Sequence, residues 1–157
     1  MTAPLTFTIP GEPCSQGRPR AFRYRAKDGQ QRVGMYDPQK SRSWKGVAQV
    51  HMQQAMDAAG QTAPLYLSHS PVDVLVVAVF TCPRGDYRKV PVPRRPHAKR
   101  GDAENIAKAV MDAATGILWV DDAQVARLVV EKWIGAQGEA PGVVVEVRPW
   151  AVCPWRR

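Results

Sequence analysis

The chain has 157 residues, of which 45% are hydrophobic and 23% charged, the composition of an ordinary folded domain, and we expect one domain over residues 1–157. Its 22 lysines and arginines against 14 acidic residues give a net charge of +8, which favours a polyanionic partner such as nucleic acid. No apolar run approaches the roughly 20 residues of a membrane span, and no basic stretch precedes an apolar one at the N-terminus, so we expect a cytoplasmic protein without membrane contact.

A short strand and a basic hairpin are predicted in the first third of the chain. Residues Leu5–Ile9 alternate between apolar and polar, which predicts a strand, and a loop rich in proline and glycine follows it. Two further segments, Phe22–Arg25 and Arg32–Tyr36, flank the turn signal Asp28-Gly29 and predict a hairpin. We expect this hairpin to be basic on one face, with the arginines Arg23, Arg25 and Arg32.

A long helix and a buried strand come next. The pattern predicts a helix that begins at Pro38 or Ser41 and ends near Ala59, before Gly60. Its predicted apolar stripe consists of Trp44, Val47, Ala48, His51, Ala55 and Ala58. Residues Val72–Phe80 are β-branched and almost continuously apolar, which predicts a central strand buried on both faces.

The second half of the chain begins with a long basic segment. Residues Thr81–Gly101 contain four prolines and seven basic residues without apolar periodicity, which predicts a functional loop. Asp102 can cap a second helix, Ala103–Thr115, that buries Ile106, Val110 and Ala113 and stops at Gly116. Two strands, Val125–Ile134 and Val143–Val147, complete an α+β domain with a mixed β-sheet and two main helices.

Five carboxylates cluster directly after the second basic segment: Asp102, Glu104, Asp112, Asp121 and Asp122. Because carboxylates repel DNA phosphates, a protein that only bound DNA would gain nothing from them, and a divalent cation is the obvious counter-charge. Mg²⁺ takes a few carboxylates with water and substrate phosphate, which suits phosphodiester hydrolysis. The two ends of this cluster can meet only if residues 116–120 fold back.

Lys108 lies one helical turn after Glu104 and could stabilise charge that develops on a phosphate. Each residue also has an ordinary structural explanation. Asp102 is a good helix cap, Glu104 and Lys108 are spaced for a surface ion pair, and Asp121-Asp122 suits a turn. Spacing alone leaves both interpretations open.

Four segments together resemble one known family, the RusA-type Holliday-junction resolvases of bacteria and phages. They are FTIPGEP, GRPR at Gly17–Arg20, DAENIAKAVMDA and WVDDAQV, and they match the family in order and spacing, with Tyr36 and Trp44 at the start of the first helix. Members of the family carry Asp-x-Asp-Asn followed by Lys and Asp on a helix, and then a Trp-x-Asp-Asp turn. This composite is far more specific than any one of its parts.

The resemblance implies a homodimeric, Mg²⁺-dependent endonuclease that binds four-way DNA junctions and nicks two strands symmetrically, in DNA recombination and repair or in phage DNA processing. Asp102 and Glu104 occupy the Asp-x-Asp positions, Lys108 that of the essential lysine, and Asp122 that of the second acid of the turn, with Asp121 as a supporting metal ligand. Glu104 departs from the family's usual Asp. Its longer side chain could adjust the metal geometry, shift the preference towards Mn²⁺ or impair the site.

The basic segments are expected to contact DNA phosphates rather than read bases. The residues concerned are Arg18, Arg20, Arg23, Arg25, Arg32, Arg94, Arg95, Lys99 and Arg100. We expect no nucleotide cofactor, because residues 11–18 lack the Gly-Lys-Ser/Thr of a phosphate-binding loop, and we expect reduced cysteines at Cys14, Cys82 and Cys153. Two alternatives stay open: a protein that binds branched DNA without cutting it, and a basic accessory protein whose target is another protein.

Overall fold

A five-stranded mixed sheet, a separate two-stranded sheet and two α-helices make up the computed structural model, which describes residues 4–17, 20–36, 38–99 and 101–150. The strands are β1 (Leu5–Pro10), β2 (Arg20–Arg25), β3 (Gln31–Tyr36), β4 (Val72–Phe80), β5 (Arg95–Pro96), β6 (Val125–Ile134) and β7 (Gly142–Pro149). The helices are α1 (Gln39–Ala58) and α2 (Ala103–Ala114). The predicted α+β class is confirmed.

The large sheet has the strand order β1-β7-β4-β6-β5, with β4 in its centre. β4 runs parallel to β6 and antiparallel to β7, and Val76 pairs with Val130 on one side and Val145 on the other. Alternate β4 residues from Val72 to Ala78 lie in the core, and the opposite face of the strand also includes buried residues, among them Val79. The prediction of a central strand buried on both faces is confirmed.

The stripe predicted for α1 is wrong in part. Its buried residues are Trp44, Ala48, Met52 and Met56, whereas Val47 and Ala58 are exposed. The four buried positions are spaced by four residues because α1 packs against both α2 and β1 along one i±4 ridge. A residue three positions after a buried one, such as Val47 after Trp44, lies beside that line of contact. The observed helix, Gln39–Ala58, starts between the two predicted starting points and ends one residue early.

Helix α2 follows its prediction closely. It ends at Ala114, one residue before the predicted end, and Ile106, Val110 and Ala113 are buried as expected. The long segment before it is not without structure, since it contains a 3-10 helix at Arg84–Asp86 and the short strand β5, which pairs with the end of β6.

The order β4, α2, β6 decides where the ends of α2 lie. Because β4 and β6 are parallel neighbours, α2 must return the chain from the end of β4 to the start of β6. The Nζ of Lys132, near the end of β6, accordingly donates to the carbonyl of Gly101, directly before α2, at 2.5 Å. The first turn of α2 therefore lies at the same end of the sheet as the segment after β4.

The cysteine thiols and the lengths of the helices bear on two of the predictions. Cys14 and Cys82 are buried free thiols, and Cys153 lies outside the described residues. Within the described ranges no helix is long and apolar enough to cross a membrane.

Candidate active site and nucleic-acid interface

An open cleft of about 1380 Å³ lies at the end of the sheet where β4 stops. It is enclosed by the loop after β1, the segment between β4 and α2, and the start of α1. Among the described residues its wall carries two acidic side chains, Glu12 and Asp86, and twice as many cationic ones. The cations are Lys40, Arg88, Arg95 and Lys99. A cleft with this balance of charge attracts phosphate groups.

The loop after β1 is tied to the beginning of α2. The backbone N–H of Gln16 donates to the carbonyl of Asn105 at 2.9 Å, and the carboxylate of Glu12 accepts from the backbone N–H of Thr81 at 3.1 Å. Gly101 has φ +71°, and a Cβ atom there would lie 3.0 Å from a serine hydroxyl of this loop. Glycine therefore lets the loop pass close to the start of α2.

In the segment between β4 and α2, two arginines that we expect to contact DNA form ion pairs within the chain. Arg94 Nε donates to Glu139 Oε1 at 2.9 Å, and this bond, with a second one from the backbone N–H of Ala136, holds the pKa of Glu139 below its usual value. Arg95 pairs with Asp86 across the wall of the cleft. Arg95 is thus part of the wall of the cleft, and the contact of both arginines with DNA stays a prediction.

The hairpin of β2 and β3 carries arginines on both faces, so the expectation of one basic face is wrong. A two-residue turn at Asp28-Gly29 would place Arg32 opposite Arg25, but the strands are joined by a three-residue loop and Arg25 pairs with Gln31. This shift of one residue in the strand register moves Arg32 to the other face of the hairpin. Arg20 and Arg32 lie on one face, Arg23 and Arg25 on the other, Lys99 is exposed elsewhere, and Arg18 and Arg100 lie outside the described residues.

At the N-terminal end of α2 the two carboxylates are exposed and make few contacts. Asp102 occupies the N-cap position, yet its side chain makes no capping hydrogen bond and, among the described residues, accepts only from Asn105 Nδ2, at 3.2 Å. Glu104 and Lys108 are both exposed, and in the described part of the chain they form no ion pair with each other. Capping and surface pairing therefore do not account for these residues.

At the C-terminal end of α2 the carboxylates are held by hydrogen bonds. Asp122 Oδ1 accepts from Thr115 Oγ1 at 2.6 Å and from Nε1 of the buried Trp119 at 2.8 Å. Asp121 caps a 3-10 helix by accepting from the backbone N–H of Ala123 at 2.7 Å. The structural explanation for Asp121 is thus confirmed.

The two pairs of carboxylates lie apart within one chain. Residues 116–120 do fold back, but onto the C-terminal end of α2, where Thr115 forms a bridge with Trp119. The 12 residues of α2 span about 18 Å, and this length separates Asp102 and Glu104 from Asp122. Over the ranges that the structure describes, no group of three or more His, Cys, Asp or Glu residues could hold a metal ion.

The sequence interpretation missed Gln124, which organises the turn after α2. Its Oε1 accepts from the backbone N–H groups of Val120 and Asp121, and its Nε2 donates to the carbonyls of Leu67 and Ser70. The side chain is buried. The spacing Asp-x-x-Gln is that of a capping box and could have identified this residue.

Exposed carboxylates beside a cationic cleft are typical of a nuclease. The chain matches the family model described as Endodeoxyribonuclease RusA over residues 10–148, and it belongs to this family of endodeoxyribonucleases. It is also 30% identical over 152 residues to the uncharacterized protein YqaN of Bacillus subtilis (strain 168), an alignment that covers 92% of this chain and 95% of that protein. The family resemblance is therefore confirmed across the hairpin, both helices and the turn after α2.

Proposed function

We propose that this protein is a Mg²⁺-dependent, structure-selective endodeoxyribonuclease that resolves Holliday junctions by symmetric paired nicks, in recombination and repair or in phage DNA processing. Family membership supports the nuclease activity. The observation that carries the proposal is the state of Asp102. An aspartate at an N-cap position normally accepts from the backbone of its own helix, whereas this carboxylate is exposed, without a capping bond, beside a cationic cleft.

The chemistry of Asp102 and Glu104 fits a magnesium ion. Mg²⁺ in proteins is commonly held by one or two carboxylates while water and substrate phosphate complete its coordination. Both carboxylates are exposed, and their oxygens are not used in ion pairs with described cations. When bound there, Mg²⁺ or Mn²⁺ would supply an activated water and neutralise phosphate charge.

Asp122 can belong to the same site only across a dimer. A two-fold axis beside α2 would place the α2 helices of two protomers antiparallel, so that the C-terminal end of one approaches the N-terminal end of the other. Asp102 and Glu104 would then face Asp122 of the partner subunit. Within one chain the length of α2, about 18 Å at a rise of 1.5 Å per residue, separates these carboxylates. The antiparallel arrangement would bring them together from two chains. It also gives two equivalent sites for two nicks.

The other residues of the chain bind and orient the DNA. Lys108 is exposed one turn after Glu104, where its ammonium group can stabilise negative charge on the phosphate under attack. The cationic cleft and the arginines of the hairpin provide phosphate contacts that require no particular sequence. Such contacts suit recognition of DNA by its shape.

Cleavage of a synthetic four-way junction tests the proposal. The wild type is expected to introduce paired nicks with Mg²⁺ or Mn²⁺, and Asp102→Asn is expected to lose at least about 100-fold in nicking rate, the size of losing a group that stabilises transition-state charge. A junction that is bound but never nicked in either metal would favour the non-cutting alternative. No binding of DNA at low salt would favour a protein partner.

Mixing two inactive variants tests the shared site. Subunit exchange between Asp102→Asn and Asp122→Asn proteins gives heterodimers. If each site combines Asp102 of one subunit with Asp122 of the other, one of the two sites in such a heterodimer has both aspartates. Nicking of one strand is then restored. If both acids acted within one chain, every site would stay defective and the mixture would remain inactive. Each variant incubated alone is the control.

A further inference from the structure

The hairpin of β2 and β3 is exposed on both faces. All six residues of β2 are exposed, and of β3 only Gly34 is partly buried. It forms a sheet of its own with two strands, an arrangement that is only marginally stable in water. A basic arm of this kind is suited to contact with a ligand.

One face of the hairpin is an aromatic platform, formed by Phe22, Tyr24 and Tyr36. The Phe22 ring lies with its centroid 5.7 Å from each of the two tyrosine rings, tilted by 32° to Tyr24 and by 67° to Tyr36, so the platform is uneven and Phe22 and Tyr24 are its flatter part. Phe22 pairs across the hairpin with Gly34, where a Cβ atom would lie 2.7 Å from the ring, so glycine lets the ring lie against the backbone. The three rings remain 41–44% exposed.

Positive charge surrounds this aromatic platform. Residues 20–36 contain five cationic side chains and one acidic one, Asp28. Arg20 pairs with Tyr36 and Arg32 with Tyr24, so both arginines lie on the aromatic face. Arg32 also forms an ion pair with Asp28 at 2.5 Å, but both groups are about half exposed, and such pairs are easily exchanged for another anion.

The chemistry that fits both features is unpaired nucleic acid. Aromatic rings stack on the faces of bases irrespective of sequence, while arginines hold the adjoining phosphates. A second copy of this chain would bring the same positive charge to the face, which disfavours self-association there. In a continuous duplex the faces of the bases are covered by their neighbours, so stacking on this platform requires bases that are out of the helix.

We propose that the aromatic platform of Phe22, Tyr24 and Tyr36 stacks on unpaired bases at the branch point of DNA, with Arg20 and Arg32 on the flanking phosphates. This inference rests on the proposed function and deepens it, because phosphate contacts alone do not distinguish a branch point from a duplex. The hairpin would contribute selectivity for DNA structure, separate from the carboxylates that cut.

Binding in the presence of EDTA, where no cleavage occurs, tests the platform. The probes are a four-way junction with two unpaired thymines at its centre and a fully paired duplex with the same number of phosphates. Tyr24→Leu and Phe22→Leu are each expected to lose about tenfold in affinity for the junction, the usual size of a lost base stack, and to bind the duplex as the wild type does. Phe22→Tyr retains a ring and should behave as the wild type.

Met35→Leu, on the opposite face of the hairpin, is the matched control and should leave both affinities unchanged. A 2-aminopurine at the branch point should be quenched by the wild type and less so by Tyr24→Leu, which leaves both Phe22 and Gly34 in place.

Three results would overturn the proposal. Equal losses of affinity for junction and duplex would mean that the hairpin is a general DNA contact. Unchanged junction affinity in the leucine variants would mean that the platform does not bind bases, and it would leave the proposed nuclease activity unaffected. A dimer that becomes monomeric on Phe22→Leu, measured by light scattering, would assign the face to a second copy. A wild type that binds no junction would refute the proposed function itself.

Discussion

At the N-terminal end of α2 the carboxylates of Asp102 and Glu104 are exposed and, in the part of the chain that the structure describes, almost without hydrogen bonds, whereas at its C-terminal end Asp122 accepts two bonds and Asp121 caps a helix. Both pairs are carboxylates beside one end of the same helix. The difference lies in what surrounds them, since the cationic cleft reaches Gly101, next to Asp102, whereas hydrogen bonds within a turn hold the second pair.

This contrast separates two requirements of a hydrolytic site. A carboxylate that is to receive a cation must keep its oxygens available, and Asp102 does so. A carboxylate that must hold a fixed position needs neighbours that orient it, as the hydroxyl of Thr115 and the indole of Trp119 orient Asp122. We infer that the two ends have complementary roles, and changes at each end should therefore have different consequences.

Outside the carboxylates, the largest effect is expected for Lys108, on the exposed side of α2. Lys108→Ala should lower the single-turnover nicking rate by about 100-fold, because the ammonium group acts on charge that develops in the transition state. Junction affinity, measured by fluorescence anisotropy without metal, should change little. Lys108→Arg retains the charge and should recover part of the rate. Equal losses of affinity and rate would contradict a role in the transition state.

Stability should distinguish the two ends of α2. Asp122→Ala should lower the free energy of unfolding by about 2 kcal/mol, because it leaves the buried indole N–H of Trp119 without its charged acceptor. Asp102→Ala should change it by no more than about 0.5 kcal/mol, as for a surface position without such a feature. Urea unfolding measures both free-energy changes, provided that the variants have the same m-value, the slope of the unfolding free energy against urea concentration.

Asp122→Asn is the matched control for this comparison, since its amide oxygen can still accept from Trp119. It should lose less stability than Asp122→Ala while still losing nicking. Equal unfolding free energies for the two alanine variants would mean that the hydrogen bonds at the C-terminal end contribute nothing.

Local signals were sufficient to predict the elements on which the site is built. An aspartate at the N-cap, apolar residues at helical spacing and Gly116 at the end located α2 to within one residue. The bounds predicted for β6, Val125–Ile134, are those of the observed strand. These features depend on neighbours in sequence, and so one sequence is enough to predict them.

Features that depend on tertiary partners could not be predicted in the same way. Met52 and Met56 are buried because α1 crosses its neighbours along one ridge, and Arg32 faces away from Arg25 because the hairpin loop has three residues rather than two. The sequence placed Asp102 and Asp122 at opposite ends of α2, but it did not reveal that residues 116–120 fold back against the C-terminal end of that helix rather than towards Asp102. Register and direction of packing decide each of these cases.

The smallest expected effect concerns Tyr66, beside the turn at the C-terminal end of α2. Its backbone N–H donates to Leu118, but its hydroxyl is buried and finds no hydrogen-bond partner among the described residues. A buried hydroxyl without a partner is destabilising, so Tyr66→Phe should leave the free energy of unfolding unchanged or raise it by up to about 1 kcal/mol.

The pH dependence provides an independent measurement of the same group. Burial raises the pKa of Tyr66 from 10.0 to about 12. Between these values the unfolded chain has released the proton and the folded chain retains it, so stability must fall as the pH rises through this window. Tyr66→Phe should therefore lose less stability than the wild type between pH 10 and pH 12 in urea unfolding. Parallel pH profiles for the two proteins would mean that this hydroxyl is hydrated. Water would then reach the C-terminal end of α2 more readily than the hydrogen-bonded turn around Asp122 implies.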